Sequence, residues 1–128
     1  MTNKLNKRGA KRLMNVVRAL RESPNPDMFT MEIFLHPCGT PGCALGHYLC
    51  RTDLQKTFKV IDADNVRIAT KNIESDFFHD VKEHFGLSHE WYGELFSETG
   101  CGNAKTAEEA AKYIQDFVMH TRPDGEHV

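Results

Sequence analysis

A chain of 128 residues, 40% hydrophobic and 27% charged, has the length of one domain that buries about two thirds of the surface its unfolded form exposes. It contains no apolar run of the roughly 18 residues that a membrane span needs, and the basic start from Met1 to Arg8 has no apolar segment behind it, so neither a membrane partner nor a secretory signal is expected. The formal net charge of −2 conceals an asymmetry: residues 1–22 set seven cations against the single acid Glu22, a balance of +6, which leaves −8 for residues 23–128.

The first helix is expected over about residues 5–22, where Leu13, Val16, Val17 and Leu20 repeat at helical spacing. Its basic side, Lys4, Lys7, Arg8, Lys11 and Arg12, reads either as a solvated face or as an arm that binds an acidic protein surface or a nucleic-acid backbone. No aromatic side chain is interleaved with these cations, so a base-stacking platform is not expected. Ser23-Pro24-Asn25-Pro26-Asp27 ends the helix, because proline lacks a backbone donor and restricts the residue before it. Met28 to Leu35 reads as an extended apolar stretch. Thr40 as N-cap and Pro41 at the first helical position then predict a helix over about 41–52.

Thr57 to Ile61 alternates in polarity and is mirrored by Val66 to Ala69 across the turn residues Asp62-Ala63-Asp64-Asn65, which predicts a β-hairpin over 57–69. Ser75 is placed to cap a helix with Phe77, Phe78, Val81 and Phe85 on its apolar face, and Gly86 to stop it. Ser88 caps a short helix through Trp91, Leu95 and Phe96. Thr106-Ala107-Glu108-Glu109 is a capping box that opens a helix through Tyr113, Ile114, Phe117 and Val118. The fold class is therefore α+β, predominantly helical, with about five helices and one hairpin. Residues 1–120 form a single domain and 121–128 a frayed tail.

The stretch His36-Pro37-Cys38-Gly39-Thr40-Pro41-Gly42-Cys43-Ala44-Leu45-Gly46-His47-Tyr48-Leu49-Cys50 holds three of the four cysteines and two of the seven histidines. The predicted cap puts Cys43 in a first turn, where free N–H groups and the helix dipole favour a thiolate. His47, four residues on, shares its face. Cys38, Cys43 and His47, with His36 or Cys101, form a conceivable tetrahedral zinc set. Cys50 fits less well, because seven residues of helix separate it from Cys43 by about 10 Å. The spacing C-x4-C-x3-H is not a common zinc spacing, so a structural role for the cysteines stands beside zinc binding, a redox thiol pair and a Cys43–His47 nucleophilic dyad. No stoichiometric metal or other cofactor is expected.

The segments CGTPGCALG, HFGLSHEWYGELF and TAEEAAKYIQDF resemble a group of uncharacterised small proteins of phages, prophages and some bacteria. These share a C-G-T-x-x-C-x-x-G turn, an L-G-L-x-x-x-x-x-x-L-F segment and a T-x-x-E-A-A-x-x-I helix. The resemblance spans residues 30–50 and 85–118; Phe85-Gly86-Leu87 replaces the usual Leu-Gly-Leu, and the basic first helix and the hairpin are not features of the group. It implies a fold and a phage-like setting and brings no activity with it; a short domain in that setting without catalytic residues is expected to be an accessory protein that occupies a partner's surface in the cytoplasm of a bacterial host. The expected partner is a protein complex, with or without nucleic acid, and the expected role is inhibition of a host defence complex, anti-CRISPR-like or of another anti-defence kind. Two alternatives remain open. His79-Asp80 resembles the central motif of HD-type metal phosphohydrolases, with His47 and Asp116 as outer ligands by order, and the zinc set would suit a small nucleic-acid-associated protein.

Overall fold

The computed structural model describes residues 5–24, 26–31, 33, 41–62, 65–68, 77–97 and 99–121. Within them the chain is predominantly helical. Helix α1, Lys7–Arg21, begins at Asn6, whose side chain accepts from Gly9 N at 2.7 Å. Capping by asparagine satisfies a backbone donor that has no partner inside the helix. Leu13, Val16, Val17 and Leu20 form the buried stripe that the spacing predicts, and Gly9 is buried with them.

The C-terminal helix α6, Ala107–Thr121, runs antiparallel to α1. Leu5 N donates to Thr121 O at 2.9 Å at one end of the pair, and Arg21 grips Glu108 through two nitrogens at 3.1 and 3.0 Å at the other. Thr121 is thus part of the helix rather than the first residue of a frayed tail; residues 122–128 lie outside the described set. The capping box at Thr106 forms in a shifted version. Thr106 Oγ1 accepts from Glu109 N, while the Glu109 carboxylate reaches back to Lys105 N rather than to Thr106 N.

Along the chain between these two helices come the short helices α2, Ala44–Leu49, α3, Phe77–Phe85, and α4, His89–Phe96. Gly86 has φ +66° and stops α3, and Ser88 caps α4 by accepting from Trp91 N at 3.1 Å. Phe78, expected on the apolar face of α3, is instead 59% exposed, and packs edge-on against Tyr92 at 5.9 Å. Ser75 and its expected cap lie outside the described residues. A single turn α5, Gly100–Asn103, is built from left-handed residues, with φ of 54° at Cys101, 63° at Gly102 and 61° at Asn103.

Strands β1, Phe58–Asp62, and β2, Asn65–Ile68, pair antiparallel, with Phe58 opposite Ile68 and Val60 opposite Val66. The turn of the expected hairpin, residues 63–64, and its last residue, 69, lie outside the described residues. Gln55 fastens β1 to α2: its amide nitrogen donates to Leu49 O and Phe58 O, and its oxygen accepts from Phe58 N. A buried side-chain amide is tolerated here because all three bonds are made.

One core joins these elements, with Leu5, Leu13, Val16, Tyr48, Leu49, Val81, Phe85, Leu95 and Ile114 at its centre. Each such large apolar side chain contributes about 1.5–3 kcal/mol by leaving water.

Candidate functional site

Cys43 and His47 turn inward. Helix α2 starts at Ala44, not at Thr40 or Pro41, and Cys43 is its N-cap instead of a first-turn residue. Thr30 N donates to Gly42 O at 3.1 Å and Cys43 N to Ile33 O at 2.8 Å, so Gly42 and Cys43 are held against Thr30 and Ile33, with Cys43 extended. That extended pairing delays the helix. Cys43 Sγ accepts from Gly46 N at 3.4 Å, yet the thiol is 5% exposed, and burial pushes its pKa up. The thiolate that a cap position favours is suppressed, because desolvation outweighs the cap bond.

His47 does share a face with Cys43, but both of its ring nitrogens are engaged. Nδ1 lies 2.9 Å from Cys43 O, which can only accept, so Nδ1 carries the proton; Nε2 at 3.1 Å takes the Ser23 hydroxyl. Burial also lowers its pKa, leaving a neutral imidazole that ties α2 to the end of α1. Cys101 donates to Leu95 O at 3.3 Å, and burial together with the nearby Cys43 pushes it up to about 12. His36 and Cys38 lie outside the described residues. Among the described residues, no group of three or more His, Cys, Asp or Glu side chains is placed to hold a metal ion.

Cys50 is exposed at the end of α2. A thiol reagent should therefore modify Cys50 well before Cys43 or Cys101 in the folded protein. Peptide mapping of a time course checks this order, and equal rates in the absence of denaturant would contradict the burial.

The residues ordered as an HD-type set do not converge either. His79 pairs with Glu83 at 3.0 Å on the exposed side of α3, while His47 is buried and Asp116 sits on α6 beside Lys112 at 3.6 Å.

The cations of α1 separate into two classes. Arg12 is half-buried and donates to His84 O at 2.7 Å, which satisfies a carbonyl in the last turn of α3. Its role in the structure is intramolecular. Arg18 bonds Glu22, which also holds Arg51, and Arg21 holds Glu108. Lys7, Arg8 and Lys11 are exposed, and Arg8 and Lys11 have no ion-pair partner among the described residues. Lys4 lies outside the described residues.

One pairing escaped sequence reasoning altogether. Tyr48 OH lies 2.6 Å from His84 Nε2 inside the core, with the Phe58 and Phe85 rings 5.1 and 4.9 Å from the imidazole. Burial raises Tyr48 to about 12; burial first, then Arg12 and Arg8, lowers His84 to about 4. Both are neutral near pH 7, with the phenol donating to the imidazole. The residues are 36 apart in sequence, and no local pattern joins them.

No family, curated protein or solved structure matches the chain. No described helix is long and apolar enough to cross a membrane.

Proposed function

We propose that this protein acts by binding another macromolecule, and that the exposed side of α1 around Lys7, Arg8 and Lys11 is a contact surface. The observation that carries the reading is the pair Arg8 and Lys11, exposed on one helix and without an ion-pair partner among the described residues, whereas Arg12, Arg18 and Arg21 of the same helix are engaged internally. Such a local excess of positive charge raises the association rate with an acidic surface and orients the encounter. The partner class is an acidic protein complex, including one that carries nucleic acid. In keeping with the sequence resemblance, the protein is a phage-type accessory protein that occupies a host defence assembly in the bacterial cytoplasm.

The test is capture from a bacterial lysate at rising salt, by the native protein and by the triple variant Lys7→Glu, Arg8→Glu, Lys11→Glu. Partner retention should fall steeply past physiological salt, where screening acts within about 8 Å. The triple variant should lose the partner with little change in thermal stability, because none of the three positions is on the buried stripe. Arg12 is left intact, since its loss would free a carbonyl of α3. Retention of the same partner by the triple variant would show that α1 is only a solvated face.

A further inference from the structure

The side of the molecule formed by α4 and α6 carries a groove of about 380 Å³ lined by Trp91, Glu94, Tyr113, Asp116, Phe117 and His120. Its floor is aromatic. Trp91 and Phe117 meet edge to face at 5.1 Å and 89°, and Trp91 and Tyr113 are half-buried, so part of each ring stays open to a ligand. The rim is anionic. Glu94 is held in place by the Tyr113 hydroxyl, which donates to Oε2 at 2.9 Å, and its other oxygen has no hydrogen-bond partner among the described residues. The Asp116 carboxylate has, among the described residues, only the long contact to Lys112 at 3.6 Å, between side chains 71% and 58% exposed, while its backbone oxygen takes His120 Nδ1 at 2.7 Å. A surface pair of that kind is worth about 0–1 kcal/mol and yields readily to a better-placed cation.

The two halves of the lining constrain the ligand together. An apolar group would cover the aromatic floor but desolvate the Glu94 carboxylate without compensation. An anion would face two carboxylates. A flat cation satisfies both, since a guanidinium stacks on aromatic faces and forks onto a carboxylate. We infer that the α4–α6 groove is a recognition pocket for an arginine side chain on a basic segment of a partner protein, with Trp91 and Tyr113 as the stacking surface and Glu94 as the carboxylate that pairs with it. The site is independent of the α1 surface and does not rest on it.

Trp91 is the single tryptophan of the chain, so its fluorescence reports the groove directly. The full-length protein is titrated with acetyl-Gly-Arg-Gly-amide, with the citrulline peptide, which keeps the shape and removes the charge, and with the glutamate peptide. The arginine peptide should shift Trp91 emission saturably and the other two should not. Glu94→Gln should weaken the arginine response about tenfold at unchanged thermal midpoint, while the triple α1 variant should respond as the native protein does. An equal response to citrulline, an undiminished response in Glu94→Gln, or no response to arginine would overturn the assignment. So would low-salt self-association in sedimentation that both Glu94→Gln and the α1 reversal abolish, because that would place the basic helix of a second copy in the groove.

Discussion

Replacing Gly9 by alanine should destabilise the protein by at least about 2 kcal/mol, although alanine is the better helix former by about 1 kcal/mol. A Cβ at this position would stand 2.1 Å from Phe85 O, 3.0 Å from Phe85 C and 3.1 Å from Leu5 Cδ1. The nearest obstacle is backbone, so no side-chain rotation relieves it. Nor is α1 free to slide away. Asn6 caps it, Arg12 ties it to His84 O at 2.7 Å, and Leu5 N anchors its start to Thr121 O at 2.9 Å. The added methyl must therefore separate α1 from the end of α3 and loosen Leu5 and Phe85, both fully buried. Gly93→Ala in α4 is the matched control, because nothing lies within 4 Å of its added Cβ. That variant should gain about 0.5–1 kcal/mol from helix propensity. Urea midpoints of the two variants should move in opposite directions, and an unshifted Gly9→Ala midpoint would refute the close crossing.

Sequence reasoning captured what local chemistry decides. The stripe of Leu13, Val16, Val17 and Leu20 has no plausible use except burial, and Ser88, Thr106 and Gly86 mark helix ends through groups within four residues of them. It failed where a distant segment competes. Thr40-Pro41 has the signature of a helix start, but Cys43 N is taken by Ile33 O, and that bond is set by a segment whose position no local rule supplies. The candidate site failed for a related reason. Spacing correctly put Cys43 and His47 on one face, yet spacing does not say whether a face points outward. A signal was present: Ala44 to Leu49 contains no Asp, Glu, Lys or Arg, and a helix without a charged face belongs inside. Likewise, the positive balance of residues 1–22 is visible in composition, whereas the spending of Arg12, Arg18 and Arg21 on internal partners depends on α3, Glu22 and α6.

Acidification from pH 6.5 to about pH 4.5 should weaken the fold before the carboxylates contribute. His84 lies among Tyr48, Phe58 and Phe85, and protonating it there would place a charge in the core beside the guanidinium of Arg12, so its folded pKa drops to about 4. In the unfolded chain the same imidazole titrates near 6.5. The unfolded state therefore binds the extra proton first: the stability from neutral His84 is fully present above pH 6.5 and is lost as pH falls toward the folded value. His47, also lowered by burial, acts in the same direction. With allowance for screening at its edge, His84 should contribute about 1–2 kcal/mol of this loss. Glu22 and Asp53, lowered by Arg18 and Arg51 respectively, begin to lose their contribution only as pH falls into the ordinary carboxylate range, below the point where the His84 loss begins. Replacing Tyr48 and His84 together by phenylalanine removes both polar partners at similar shape and leaves no orphaned donor or acceptor. Urea unfolding of that double variant should show a flatter stability profile between pH 6.5 and 5 than the native protein, with His47 supplying the remaining slope. An equally steep profile in both would mean that His84 does not carry the acid sensitivity. A flat profile in the native protein would mean that the imidazole stays in contact with water, contrary to its packing between Tyr48 and the two phenylalanine rings.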